Sequence, residues 1–237
     1  MNLLTRDRFA LSRSARAART TALIIDVRRG GGAVAQSLAR QGFAVVLGHA
    51  PSDVAAAVRV VAAVSAMGGC ALAVEVHDDD EAAVPQLLDR AEDVFGLVDV
   101  LVDNGRTQVA SRSAEDELFD RYFGVALRGM VEVVRVAAPR LRSGGSIVRL
   151  SSAATGETSR THAWMTSHAA LEWLTRTFAA ELAKYDVRIN AIAPSAGCDE
   201  PAIGEAVALL LGADGEGCNG QVFDVGAVAL RAIGASA

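Results

Sequence analysis

Short apolar runs that alternate with longer stretches of helical period are the feature that most restricts the fold of this chain. The runs are five or six residues long, the length of a buried strand, and they are Thr21–Asp26, Phe43–Gly48, Ala71–Val76, Val98–Val102, Ser146–Leu150, Val187–Ile192 and Gln221–Val225. Strands that are apolar on both faces and separated by helices are typical of a parallel sheet covered on both sides. We therefore predict an α/β fold, a single doubly wound domain over residues 21–237 with a seven-stranded, mainly parallel sheet.

Residues 1–20 precede the first predicted strand and form a separate segment. They carry five arginines but lack the apolar stretch of roughly 7–15 residues that a secretory signal needs. An arginine-rich, acid-poor leader is also compatible with an organellar address. We predict an extended N-terminal arm that lies on the domain.

Composition excludes several classes of function. Hydrophobic residues make up 51% and charged residues 22% of the 237 residues, which is enough for a buried core and incompatible with general disorder. The net charge of −5 argues against nucleic acid as a partner, and no apolar run approaches the ~20 residues of a membrane span. The three cysteines show no CxxC spacing, so we predict no metal site and a reducing, cytoplasmic location.

A glycine-rich turn, Asp26–Gly32, follows the first predicted strand and leads directly into a helix. Such a turn presents backbone N–H groups and a helix dipole to a pyrophosphate group. Glycine in a strand-to-helix turn is a weak signal alone, because any tight turn uses it. The surrounding order of strand, turn, helix and strand strengthens the prediction.

The order of motifs resembles the short-chain dehydrogenase/reductase family, close to its 3-oxoacyl-carrier-protein reductase branch, over almost the whole chain. DVRRGGG stands at the family's TGxxxGxG turn and DNG at its NNAG motif. GGSIVRLSS stands at its catalytic-serine strand, and SHAALEWLTRTFAAELAKYDVRINAIAP at its catalytic helix and the next strand. The resemblance implies a Rossmann-like fold, an NAD(P) cofactor and hydride transfer.

The cofactor positions agree only partly with the family pattern. Gly30 and Gly32 stand at the second and third glycines of the turn, but Asp26 replaces the first. A carboxylate facing the cofactor phosphates would cost about 1–4 kcal/mol, which Arg28 and Arg29 could offset. We expect that no cofactor binds, or NADP if any. The cofactor-binding residues that the resemblance would assign are Gly30, Gly32, Arg29 and Asn104.

By the resemblance, three of the family's four catalytic residues are replaced in this chain. The resemblance places Ser152 at the serine, with Ser151 as the alternative, but Trp164 at the tyrosine, His168 at the lysine and Ala126 at the asparagine. An indole N–H does not deliver a proton usefully near neutral pH. We therefore predict that the family's ordinary hydride transfer does not operate, and whether the chain is an enzyme stays open. The candidate catalytic positions are Ser152, Trp164 and His168, of which only Ser152 matches.

Three functions remain open at this point. The first function is that of a non-catalytic subunit in a homo- or hetero-oligomer, which could pair with an active ketoreductase paralogue. The resemblance supports it, because the predicted helices at about 115–138 and 161–184 correspond to those that form a four-helix interface in the family. The second is a non-redox enzyme, with His168 as a general base and Ser152 binding an oxyanion. The third is an atypical ketoreductase that binds NADP. The chain also differs from active members after Pro194. They carry a long lid there, whereas here only Ser195–Ile203 separates Pro194 from the next predicted helix, a short one at about 205–211.

Overall fold

A computed structural model describes residues 20–28, 30–77, 82–104, 127–151, 162–195 and 198–226, with only the backbone described for 162–165, 167 and 168. Its centre is one sheet of seven parallel strands in the order β3-β2-β1-β4-β5-β6-β7. The strands are β1 (Thr21–Ile24), β2 (Ala44–His49), β3 (Cys70–Glu75), β4 (Val100–Asp103), β5 (Ser146–Leu150), β6 (Arg188–Pro194) and β7 (Val222–Val225). The predicted doubly wound α/β fold is confirmed.

The helices of the described segments connect these strands. They are α1 (Gly31–Arg40), α2 (Val54–Ala66), α3 (Ala83–Phe95), α4 (Arg128–Ala137), α5 (His162–Glu181) and α6 (Glu200–Leu211). None of these helices is long and apolar enough to cross a membrane. Of the helix expected at about 115–138, residues 115–126 lie outside the described residues, as do residues 1–19 of the expected arm.

Successive side chains of the strands pack into two separate cores, because a strand points alternate residues to opposite faces. Ile24 and Val102 belong to the core that contains α1, α2 and α6. Leu23 and Leu101, one residue away on the same strands, belong to the core that contains α3, α4 and α5. The sheet is therefore covered on both faces, which explains why its strands are continuously apolar.

Helix α6 begins earlier than the sequence indicated. We expected a short helix at about 205–211, whereas the structure starts it at Glu200. The Asp199 side chain accepts a hydrogen bond from Ala202 N at 2.8 Å, and Pro201 lies in the first turn, which are both features of a helix start. Residues 195–199 alone therefore connect β6 to α6.

Candidate functional site at the glycine turn

The glycine turn joins β1 to α1 in a conformation that only glycine adopts easily. Gly30 has φ +80° and stands at the N-cap of α1. Gly31 N donates to Arg28 O at 2.9 Å, and Gly32 N donates to Val27 O at 3.0 Å. A Cβ on Gly31 would lie 1.9 Å from Asp26 O, so no other residue fits there. The turn thus keeps the backbone shape that allows close approach of a phosphate.

Asn104, which follows β4 in the centre of the sheet, binds this turn through hydrogen bonds. Its Oδ1 accepts from Asp26 N at 3.0 Å, and its Nδ2 donates to Asp26 O at 2.6 Å and to Arg28 O at 2.9 Å. The side chain is buried. The amide expected to contact a cofactor is therefore engaged with the backbone of the turn.

Asp26, which the sequence resemblance placed at the first family glycine, forms an ion pair with Arg28 within the turn. Its Oδ1 accepts from the backbone N and the Nε of Arg28, at 2.9 and 3.0 Å. Its Oδ2 accepts from Nε at 2.8 Å and from Nη2 at 2.6 Å. The Nε of Arg28 also lies 3.7 Å from Asp53 Oδ2. Arg28 is thus shared by two carboxylates of its own chain.

A third carboxylate reaches the turn from α6. Glu200 Oε1 accepts a long hydrogen bond of 3.4 Å from Gly30 N. One helical turn further on, Ile203 packs on the same glycine, since a Cβ on Gly30 would lie 3.2 Å from Ile203 Cγ2. A Cβ on Gly204 would lie 2.8 Å from Ala33 O, so the backbones of α1 and α6 approach closely. Sequence reasoning missed Glu200, because it lies 170 residues from Gly30.

The described residues of the turn do not fit a dinucleotide pyrophosphate. Asp26, Asp53 and Glu200 bring three carboxylates to the turn, and Arg28 already pairs with two of them. Like charges a few ångströms apart repel by about 1–4 kcal/mol at the effective dielectric of a protein surface. Arg29, the other expected phosphate ligand, lies outside the described residues.

A cysteine lies beside this site in the β6–α6 connection. Cys198 is half-buried, and its Sγ lies 3.6 Å from Asp199 O. Burial, and to a smaller extent the Asp199 carboxylate, raises the pKa of the Cys198 thiol. The thiol therefore stays protonated and weakly nucleophilic near neutral pH.

A buried ion pair, Asp103 with Arg149, lies at the carboxyl ends of β4 and β5. Sequence reasoning did not identify Arg149. Asp103 and Arg149 are paired in register, are both 3% exposed, and place Oδ2 and Nη1 2.5 Å apart. The Nε and Nη2 of Arg149 have no hydrogen-bond partner among the described residues. The sequence signal that could have identified it is the single arginine in the otherwise apolar run SIVRL.

The candidate catalytic residues are only partly placed. Trp164 and His168 lie on α5, four residues apart, and their side chains lie outside the described part of the chain. Ser152 and Ala126 lie outside it as well, whereas Ser151 follows β5 and donates its N–H to Ile192 O at 2.8 Å. The structure therefore does not test whether Ser152 and His168 meet. Within the described segments, no group of three or more His, Cys, Asp or Glu is arranged to hold a metal.

Comparison with known proteins shows the family. A family model described as enoyl-(acyl carrier protein) reductase matches residues 30–199. An oxidoreductase of Methylorubrum extorquens is 34% identical over 167 residues, which cover 69% of this chain and 67% of that protein. The chain belongs to the short-chain dehydrogenase/reductase family. The L-rhamnose 1-dehydrogenase (NAD(P)(+)) of Azotobacter vinelandii is 35% identical over 185 residues, 73% of this chain and 72% of that one.

A solved structure agrees with this family membership. The short-chain dehydrogenase/reductase of Serratia marcescens BCRC 10948 superposes with a TM-score of 0.73 at 25% identity, covering 87% of this chain and 96% of that one. The sheet order and the helices on both faces are therefore those of a short-chain dehydrogenase/reductase.

Proposed function

We propose that this short-chain dehydrogenase/reductase is a non-catalytic subunit that assembles with a partner, the favoured partner being an active ketoreductase paralogue. One observation carries the proposal: Asp26, which the resemblance places at the first glycine of the family's cofactor turn, is buried and is bound by Arg28. A protein whose turn repels the pyrophosphate does not retain a nicotinamide cofactor for hydride transfer.

The residues at the reaction centre support the same proposal. By the family pattern, Trp164, His168 and Ala126 stand at the positions of the tyrosine, the lysine and the asparagine. Reduction of a carbonyl needs a proton donor beside the hydride donor. The indole of Trp164 is no such donor, and His168 carries no permanent charge to lower the pKa of a neighbouring acid.

An exposed tryptophan supports assembly through α4 and α5. Trp173 on α5 is 67% exposed, and Val131 on α4 is also exposed. Burying an aromatic side chain of this size at an interface removes about 150–250 Å² from water. Since these two helices correspond to those of the family's four-helix interface, we assign the partner to this surface.

The proposal includes a reducing, cytoplasmic location. Cys70, Cys198 and Cys218 are all free thiols. Free, scattered cysteines are typical of proteins that fold in a reducing compartment.

The test is a thermal-shift titration of the purified chain with NADPH and with NADH, with the mass of the assembly measured on the same sample. An active short-chain dehydrogenase/reductase serves as the positive control. We expect the melting temperature to stay unchanged up to millimolar nucleotide, and the lone chain to be unstable or to associate. A saturable rise of the size that mass action requires for a native-state ligand would contradict the proposal.

An atypical NADP-binding ketoreductase is the second candidate, because the backbone of the turn is intact. Gly30 keeps its left-handed conformation, and Gly31 and Gly32 keep the tight hydrogen-bonded turn. The same titration distinguishes the candidates, since only the second one predicts saturable binding of NADPH.

A further inference from the structure

We infer that the exposed apolar face of α2 is the docking site of this chain's own N-terminal arm, with residues 3–11 packed along the helix. This contact is made within one chain, on the face of the sheet opposite to α4 and α5. It is separate from the glycine turn and from the partner surface around Trp173.

Helix α2 is apolar on nearly all sides, although it lies at the surface. Arg59 and Ser65 are the only polar residues among its 13, and only Ala57 and Val64 are buried. A helix that is apolar all round is typical of a buried position. One exposed stripe runs along the helix at four-residue spacing, and it consists of Val54, Val58, Ala62 and Ala66.

Helix α3, on the opposite face of the sheet, has the outer surface that water requires. The exposed residues within it are all polar: Gln86, Asp89, Arg90 and Asp93. On α2, by contrast, Val54 is 39% and Val58 is 47% exposed, and Met67, directly after the helix, is 45% exposed. The surface of α2 is therefore suited to a contact with another apolar segment.

The size of this face favours a single segment over a second copy of the chain. A helix of 13 residues is about 20 Å long, so one exposed stripe about 10 Å wide offers about 200 Å². A stable protein–protein interface buries about 800 Å² on each partner. An extended segment rises about 3.3 Å per residue, so roughly six residues are enough to follow the whole helix.

The arm joins the sheet close to the C-terminal end of α2. Thr21, Ala44 and Cys70 are in register at the start of β1, β2 and β3. Because neighbouring strands lie about 4.8 Å apart, Thr21 and Cys70 are about 10 Å apart. Met67, at the end of α2, precedes Cys70 by three residues. Residues 12–19 span about 26 Å when extended, so residues 3–11 can reach the helix.

The pattern of the arm matches an apolar surface on one side only. In an extended segment, successive side chains point to opposite sides. Leu3, Phe9 and Leu11 then share one side, whereas Arg6 and Arg8 share the other. The apolar side can pack on α2 while the arginines remain in water.

The remaining arginines of the arm suit the end of α2 that they would pass. They are Arg13, Arg16 and Arg19. The last turn of α2 contains no basic residue. Since the C-terminal end of a helix carries a partial negative charge, cations near it are favourable.

The first test measures how fast hydrogen peroxide oxidises Met67 in the full chain, by mass spectrometry of its peptide. Phe9→Asp/Leu11→Asp should release the arm and raise the rate at least about threefold, because oxidation follows exposure. Ala10→Asp/Ser12→Asp is the matched control, since it adds the same charges to the opposite side of the arm. The rate in this control should equal that of the wild type.

Two further readings decide the result. Met130 is 1% exposed and should oxidise slowly in all three chains, which confirms that the fold is intact. Equal oxidation of Met67 in all three chains would overturn the inference. Protection of Met67 that disappears when the wild type is diluted would overturn it as well, because the cover would then come from a second molecule.

The reciprocal test changes the helix instead of the arm. Val58→Glu places a charge in the centre of the exposed stripe, and trypsin should then cleave after Arg8 at least about threefold faster, because a segment must detach before it is cleaved. Val131→Glu changes an exposed valine of α4 and should leave this rate unchanged. No increase in Val58→Glu, or an equal increase in both variants, would contradict docking of the arm on α2.

Discussion

The carboxamide of Asn104 makes three hydrogen bonds to the backbone of the glycine turn in a buried site. Replacement by leucine keeps a similar volume but leaves these backbone groups without partners. We expect Asn104→Leu to lower the free energy of unfolding by at least about 3 kcal/mol, because three backbone groups lose their partner and each unsatisfied buried polar group costs about 1–3 kcal/mol. Unfolding in urea, followed by circular dichroism, measures the change.

Asn219→Leu is the matched control for this prediction. Asn219 also bonds to the backbone, at Ile189 N and Ala179 O, but it is exposed, and water can replace its amide. We expect a loss below about 1.5 kcal/mol. Equal losses in the two variants would show that burial of Asn104 does not matter.

The buried pair of Asp103 and Arg149 gives a second prediction for single residues. Arg149→Met leaves the carboxylate of Asp103 buried without its cation, and we expect a loss of about 3–5 kcal/mol in the free energy of unfolding. Asp103→Leu in the same chain removes the buried carboxylate as well, so the double variant should recover most of the loss. A double-mutant cycle in urea measures both steps.

A pair with a half-exposed arginine, at the other end of the same strands, provides the reference. Arg142 Nε lies 2.7 Å from Asp99 Oδ1, and Arg142 is half-exposed. Arg142→Met should cost less than about 1 kcal/mol, because solvent screens the pair. If Arg142→Met cost as much as Arg149→Met, burial would not be the reason for the large effect.

At the scale of elements, a prediction concerns the reactivity of Cys198, which lies between β6 and α6. Burial and the Asp199 carboxylate raise the pKa of this thiol, so it ionises at higher pH in the folded chain than in the unfolded one. Since the thiolate is the reactive form, we expect Cys198 to be alkylated by iodoacetamide more slowly in the folded chain at pH 8. Mass spectrometry of the Cys198 peptide measures the rates in buffer and in urea.

The pH dependence of this prediction has a definite sign. Because the folded-state pKa is the higher one, the protonated thiol contributes stability below the pKa of an unfolded cysteine, and this contribution is lost as the pH rises through the folded value. Asp199→Asn removes the smaller cause and still caps α6. It should bring the alkylation rate partly towards that in urea, and an unchanged rate would exclude a contribution from the carboxylate.

The strands and the layers could be predicted from the sequence, whereas the contacts of the site could not. An apolar run of five or six residues between helical stretches is a local pattern, and a parallel sheet needs such runs. The start of α6 could not be predicted, because several polar residues near Asp199 could also have capped the helix. The approach of Glu200 to Gly30 and the burial of Arg149 depend on tertiary packing, which no local pattern contains.

At the scale of the whole molecule, the exposed side chain of Trp173 gives a prediction about assembly. Trp173→Glu places a charge on the exposed surface of α5, which we assign to the partner interface. We expect the assembly to dissociate into smaller species, because a buried unpaired charge at an interface is costly. Light scattering coupled to size-exclusion chromatography measures the mass.

Val58→Glu tests whether any exposed apolar residue would have the same effect. Val58 lies on α2, in the layer on the other face of the sheet, and is 47% exposed. This variant should keep the mass of the wild type. An unchanged mass in Trp173→Glu, or an equal decrease in Val58→Glu, would contradict the assignment of α5 to the interface.

The hydrogen bonds of Asn104 also set an order of events for a chain leaving the ribosome. They join the turn after β1 to a residue 78 positions later, at the place where strand order reverses between β1 and β4. While β1, β2 and β3 are synthesised, the turn has no partner in the fourth strand. The turn therefore becomes rigid only when β4 adds to β1, after the first three strands have been synthesised.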